Sequence, residues 1–452
     1  MKKISIIGSG YVGLTTALSL ASVGNMVFCL DIDDKKVTSI NKAKTPFYEL
    51  GLQDLLQKMI REKLIIAAKP DQKIIQETDI TIIAVPTPTK KNTIHLEFIK
   101  QASQIVGKSL KNKDKYHLVI VKSTVIPGTT RNVVGQIISQ YSQKIIGEFG
   151  LCMNPEFLRE GSAISDALNP DRIVIGAFDI RSGNECKKLY QSFKKPMINT
   201  TLETAELIKY TSNALYATLI SFSNEIAQIC QSTIDVDVED VWSAIHLDHR
   251  LISTSIKNMP VGITKYLRSG CGYGGSCFPK DTRAIVSFAE SLGVNLPIIK
   301  SGIIDNNKQP KYLLNILQKA IGSLSGKKIT VLGLSFKPET DDIRESPGVI
   351  FTRLLIKNHA HVICHDPVVK TEMLTRQYPK MRIKITNNLL EAISNSDAVV
   401  ITTAWEEYRL LEKKNVWKKM KLPVIIDGRR ILSPHIFQNT PVKYYGVGRS
   451  LI

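Results

Sequence analysis

The segment CGYGGSCFPKD (271–281) sets Cys277 three residues before Lys280 and four before Asp281. An accessible thiol with positive charge close by is biased towards the thiolate, the form that attacks a carbonyl carbon. A structural cysteine buried in a glycine-rich turn is the plainer alternative, and Cys271 has no comparable setting. Lys209 and Asn213 lie four apart, on one face of a helix, and offer a cation and an amide to a developing oxyanion or a bound water. NPEFLREG (154–161) adds Glu156 and Glu160 with Arg159 between them, and Thr124 ends the strand-like VIVKST. Strand-end loops gather site residues in sheets with helical crossovers, although surface helix starts read alike.

A second kind of chemistry is binding. Gly8, Gly10 and Gly13 form GSGYVG between the strand-like KISII and the helical TTALSLASVG. Asp31 ends the next apolar run, at the distance where an acid meets the ribose hydroxyls of a dinucleotide. The glycines admit a pyrophosphate close to the backbone, with its charge on the helix N-terminus. Asp33 and Asp34 would repel a 2′-phosphate, so NAD is expected rather than NADP even with Lys35 and Lys36 near.

The elements that position these residues come from a duplication. KKISIIGSG (2–10) is echoed by KKITVLGLS (327–335), MVFCLD (26–31) by HVICHD (361–366), and DITIIAVPTP (79–88) by DAVVITTAW (397–405). Three strand-like segments recurring in one order predict two related α/β domains, with parallel sheets covered by helices on both faces. The second copy is expected to keep only Gly333 of the glycine set and so to bind something other than a dinucleotide, suggesting a dehydrogenase whose substrate carries a nucleotide. Between the halves, residues 203–230 contain no Gly or Pro and predict one long helix. With a helix around 237–246 it forms a central α domain, and the last boundary falls near 322–327.

Composition sets the outer limits. A chain of 452 residues accommodates two or three domains, and 43% hydrophobic residues are enough for real cores. Sixty Lys plus Arg against 41 Asp plus Glu give a net charge of +19, which suits anionic ligands. The lysines are scattered pairs rather than one run with interleaved aromatics, so no nucleic-acid stripe is expected. Seven cysteines without a CxxC pair argue for reduced thiols and against structural zinc. The glycines at 8, 10 and 13 argue against reading the start as a signal peptide, and no apolar run is long enough for a membrane span, so a cytoplasmic protein is expected.

Taken together, GSGYVG, VPTP (85–88), KST (122–124), NPEFLREG, DRIVIG (171–176), ELIKYTSNA (206–214), GYGGSCFPKD, FKPETDDIRESP (336–347) and DGRR (427–430) resemble the UDP-glucose/GDP-mannose dehydrogenase family over nearly the whole chain. The resemblance implies two Rossmann-like, doubly wound parallel-sheet domains joined by a central long-helix domain. Their bounds would be 1–200 (NAD binding), 201–310 (helical, dimerising) and 311–452 (UDP-sugar binding). It implies Cys277 as nucleophile, Lys209, Asn213 and Asp281 handling oxyanion and water, and Glu156 and Thr124 in the acid–base steps. NAD would be touched by Gly8, Gly10, Tyr11, Val12, Gly13, Asp31, Lys36, Thr87, Thr124, Glu160, Lys280 and Arg344. The nucleotide sugar would be touched by Glu156, Phe157, Leu158, Arg159, Lys209, Asn213, Tyr266, Gly270, Cys277, Phe336, Lys337 and Arg430, with Arg250 reaching across a homodimer. The implied reaction is NAD-dependent oxidation of UDP-glucose to UDP-glucuronate through a cysteine thioester, two NAD being reduced per substrate. One departure is VIPGTT (125–130), where Pro127 stands one place later than in many UDP-glucose enzymes. It leaves GDP-mannose and UDP-N-acetylhexosamines open as substrates. A non-catalytic nucleotide-sugar-binding protein would have lost the Cys, Lys or Asp, and all are present.

Overall fold

The computed structural model describes residues 1–90, 92–251 and 262–450, and the chain divides into two units. One is Met1–Ser212 with Glu290–Leu292, the other Asn213–Ala289 with Gly293–Ile452.

In the first unit the strands are β1 (Lys3–Ile7), β2 (Met26–Leu30), β3 (Ile65–Ala68), β4 (Ile80–Ile83), β5 (Leu118–Val121), β6 (Gly150–Met153), β7 (Ile173–Ala177) and β8 (Met197–Thr200). They form one sheet in the order β8-β7-β6-β5-β4-β1-β2-β3. Ile4, Ile6, Leu118 and Ile120 enter one buried cluster, whereas Ile7, Val119 and Val121 enter another. Both faces are therefore covered, which is why these strands read as nearly continuous apolar runs, with the buried Ser5 and Thr81 hydroxyls bonded to each other. The expectation of a parallel sheet needs one correction, because β6 and β7 pair antiparallel, Cys152 opposite Ala177. The chain leaves β6 at its carboxyl end and enters β7 from that same end, so NPEFLREG stays at the edge where site loops gather.

The second unit carries β9 (Lys328–Leu332), β10 (His361–His365), β11 (Lys384–Thr386), β12 (Ala398–Ile401), β13 (Val424–Asp427) and β14 (Lys443–Gly446), all parallel, in the order β11-β10-β9-β12-β13-β14. This repeats the arrangement β3-β2-β1-β4-β5-β6, in which β5 and β6 are likewise parallel. The duplication extends to single hydrogen bonds. Lys3 N–H donates to Asp79 at 3.0 Å and Lys328 N–H to Asp397 at 2.9 Å. Ser9 N–H donates to Asp31 at 2.7 Å and Leu334 N–H to Asp366 at 2.8 Å.

The second copy also keeps more of the glycine set than its sequence suggests. Gly8 and Gly333 both end their first strands at positive φ, 101° and 105°. A Cβ on Gly13 would overlap the carbonyl oxygen of Gly8, and a Cβ on Gly348 would overlap that of Gly333. Gly348 is thus the helix-packing glycine of the second half, displaced along the sequence by the longer segment 334–347.

The predicted long helix is Leu202–Ser232, and the shorter one is Val238–Ile245, capped by the Asp237 carboxylate. The long helix passes from the first unit into the second at Ser212. No helix among the described residues is long and apolar enough to cross a membrane.

Candidate active site

In the first unit the residues expected to meet a dinucleotide converge on the end of β1. Gly8 N–H donates to Leu30 O at 2.7 Å, and Gly8 leaves 2.6 Å between a notional Cβ and Ala84 O, so this turn admits only glycine. Gly10 is different: a Cβ there would meet nothing within 4 Å, an open space at the start of the helix Tyr11–Ser22. That helix has neither a side-chain cap nor an acid in its first turn. Its first N–H groups therefore suit the pyrophosphate of NAD. Asp31, buried, accepts from Ser9 N–H at 2.7 Å, Asp33 N–H at 3.0 Å and Lys36 Nζ at 3.2 Å. Val12 packs on the core, and Thr87 Oγ1 donates to Thr124 O at 2.8 Å, tying together the segments after β4 and β5.

NPEFLREG organises a second cluster in this unit. Glu156 Oε2 accepts from Leu158 N–H at 2.6 Å and Oε1 lies 2.9 Å from Lys209 Nζ. Lys209 also sits 5.4 Å from the centre of the Phe157 ring, and the Arg172 guanidinium lies 4.1 Å from the same ring. Arg159 is exposed and held by Asp166 at 2.5 Å, next to a half-buried Glu160. Lys122, directly after β5, is buried and donates to Asn154 Oδ1 at 2.8 Å. Burial lowers its ammonium to about 8, against the opposing pull of Glu156. Lys122, Asn154, Glu156, Phe157, Arg159 and Arg172 line a cavity of about 80 Å³.

In the second unit Cys277 is half-buried, whereas the other six cysteines are buried. Its carbonyl accepts from Asp281 N–H at 2.8 Å, which places it at the N-terminal cap of the helix Phe278–Ser291. The positive end of that helix favours negative charge at this position. Asp281, 1% exposed, accepts from Asn213 Nδ2 at 2.6 Å and pairs with Lys280. Tyr266 stacks on Tyr216 with centroids 4.1 Å apart.

The glycines of this loop, Gly272, Gly274 and Gly275, are buried by close packing. Gly275 lies against the Phe336 ring and Gly274 against the Glu345 carbonyl, so residues larger than glycine would push the loop off the segment 336–345. Lys337 Nζ stands 5.7 Å from the Phe336 ring centre, and Arg344 is paired with Asp342 at 2.8 Å. Gly270 N–H donates to Asn224 Oδ1 at 2.8 Å. Arg430 has a buried side chain engaged with Asp237 at 2.7 Å, while its neighbour Arg429 reaches Thr402 O, Gly272 O and Phe336 O at 2.8, 3.1 and 3.3 Å. Arg250 is exposed and paired with Asp248.

Five residues that shape these clusters were not singled out from sequence: Glu49, Lys122, Glu206, Asn224 and Arg429. Lys122 carried a usable signal, a lysine closing an otherwise apolar strand. Glu206 carried none, although it is fully buried and accepts from Gly128 N–H at 2.6 Å and Thr130 N–H at 2.7 Å, so that it anchors VIPGTT.

Family models match three consecutive parts of the chain: the NAD binding domain of the UDP-glucose/GDP-mannose dehydrogenase family over 2–194, its central domain over 203–308 and its UDP binding domain over 330–434. A UDP-glucose 6-dehydrogenase of Bacillus subtilis, TuaD, is 38% identical over 100% of this chain and 94% of its own length. Another, AglM of Haloferax volcanii, is 38% identical over 95% of this chain and 97% of its own. A solved UDP-glucose dehydrogenase of Pyrobaculum islandicum superimposes with a TM-score of 0.87 at 34% identity, covering 99% of this chain and 98% of that one. A UDP-D-ManNAc dehydrogenase of Pyrococcus horikoshii gives 0.84 at 25% identity over 100% of both. The chain belongs to the UDP-glucose/GDP-mannose dehydrogenase family. It is an NAD-dependent oxidoreductase, and its substrate class is the nucleotide sugars.

Proposed function

We propose that the protein oxidises UDP-glucose to UDP-glucuronate, taking the primary alcohol to the carboxylate and reducing two NAD per substrate. The observation that carries the covalent part is Cys277, half-buried at a helix N-terminus while the other six cysteines are buried. NAD supplies the hydride acceptor in each of two turns. Glu156 and Thr124 assist removal of the hydroxyl proton as the first hydride leaves carbon. The Cys277 thiolate then adds to the aldehyde carbon, and Lys209 and Asn213 hold the oxygen as the thiohemiacetal forms. Loss of the second hydride leaves a thioester. Water, oriented by Asp281, splits the carbon–sulfur bond to give carboxylate and free thiolate. An aldehyde held covalently never needs to escape.

The reading keeps three functional domains, 1–200, 201–310 and 311–452, and a cytoplasmic homodimer joined through the central helices. Leu215, Phe222 and Ile229 support the dimer, since they recur every seven residues on the long helix and are 48%, 49% and 62% exposed. VIPGTT favours a second reading, in which the same oxidation acts on GDP-mannose or a UDP-N-acetylhexosamine. A panel of nucleotide sugars with NAD, following reduced cofactor and product mass, separates the two. UDP-glucose should give UDP-glucuronate and two NADH; turnover of another sugar with UDP-glucose inert would overturn the substrate while leaving the chemistry.

A further inference from the structure

Glu49 lies in an irregular connection, 42–51, 38 residues after Tyr11 and 112 before Gly161, yet it is only 5% exposed. A buried carboxylate is costly unless donors surround it. Here Oε2 accepts from the Tyr11 hydroxyl at 2.6 Å and Gly161 N–H at 2.7 Å, and Oε1 accepts from Ala163 N–H at 2.8 Å. These donors come from two different ligand-facing segments. Tyr11 opens the helix capped by Gly10, and Gly161 ends NPEFLREG. The Tyr11 ring rests on Phe47, in the same connection as Glu49, with centroids 5.4 Å apart. Its hydroxyl also approaches Arg159 O at 3.4 Å. Burial and the adjacent Glu49 hold the phenol far above its ordinary ionisation, so it remains a donor at any working pH.

We propose that Glu49 is a positioning residue that locks the dinucleotide turn to the NPEFLREG loop, so that cofactor and nucleotide sugar are held in fixed register. The proposal rests on the assignment of these two segments to those two ligands. Glu49 touches neither ligand; it acts through Tyr11 on one side and through the backbone of 161–163 on the other. Three short charge-assisted bonds from rigid donors leave that joint little freedom.

The test compares Glu49→Gln, Tyr11→Phe and the double variant with the parent chain. Glutamine keeps the volume and can still accept from Ala163, but turns an NH2 towards Gly161. Tyr11→Phe removes one hydroxyl and is the variant least able to disturb folding. Glu49→Gln should raise KM for NAD and for the nucleotide sugar together, by about tenfold or more, the scale of one lost charge-assisted bond. Tyr11→Phe should do so more weakly, and the double variant should be no worse than Glu49→Gln, because both remove one link. NADH binding followed by fluorescence should weaken in parallel. Unchanged KM for both ligands in folded Glu49→Gln would overturn the proposal, as would effects that multiply in the double variant. A parent that binds NADH but turns over no nucleotide sugar would instead defeat the assigned function, and the NADH titrations would still decide the link.

Discussion

Lys209 and Glu156 form an ion pair of 2.9 Å in which the two side chains are only 4% and 7% exposed. Lys209→Ala leaves a buried carboxylate without its partner, which costs about 3–5 kcal/mol of stability. Replacing both at once, Lys209→Met with Glu156→Gln, removes the stranded charge. Urea unfolding should show the double variant well above Lys209→Ala in stability, while turnover stays lost in both. Recovery of activity with stability would make the pair purely structural.

Reactivity should single out Cys277. A limiting amount of iodoacetamide should alkylate it ahead of the six buried cysteines, as peptide mapping by mass spectrometry would show, and nucleotide sugar should protect it. Cys277→Ala should keep NADH and UDP binding and lose conversion to the acid. Full oxidation by that variant at near-parental rate, with Cys271 also replaced, would exclude a covalent stage there.

The glycines separate stability from cofactor binding. Gly13→Ala and Gly348→Ala drive a methyl into a backbone carbonyl, so each should lower Tm, in the first and second unit respectively. Gly10→Ala meets nothing within 4 Å and should leave Tm unchanged while raising KM for NAD. A stable Gly348→Ala would mean that the second half does not pack like the first.

Glu206 gives the fold a pH dependence of definite sign. Burial raises its carboxyl from 4.5 to about 7 against the pull of Thr130 and Gly128, with Glu203 adding to the rise. Between these values the folded chain holds more protons than the unfolded chain, so this group's contribution falls as pH rises through about 7. The loss is about 3 kcal/mol between pH 4 and pH 8. Glu206→Gln should flatten the profile of unfolding free energy by that amount; an unchanged slope would show that Glu206 ionises at its ordinary pH.

Local patterns carried much of the fold. The two strand–glycine–helix starts and the uninterrupted helix Leu202–Ser232 follow from apolar periodicity and from where Gly and Pro are absent. Burial of charge was not legible, because it depends on chain brought in from afar. Glu49 takes donors from residues 11, 161 and 163, and Glu206 from 128 and 130. The same applies to Gly348, whose role depends on contact with Gly333 rather than on spacing. The helix Pro297–Ile321 runs through Pro310, a residue that sequence rules treat as a break.

The segment 336–345 follows the Gly333 turn, yet its packing partners are Gly274 and Gly275 on the cysteine loop, with Arg429 reaching both the loop and Phe336. Neither stretch can change shape alone. In evolution the two should therefore be inherited as a matched pair, and a graft meant to alter sugar choice should move 270–277 together with 336–345. The strand ends pinned by Asp366 and Asp397 would stay as they are.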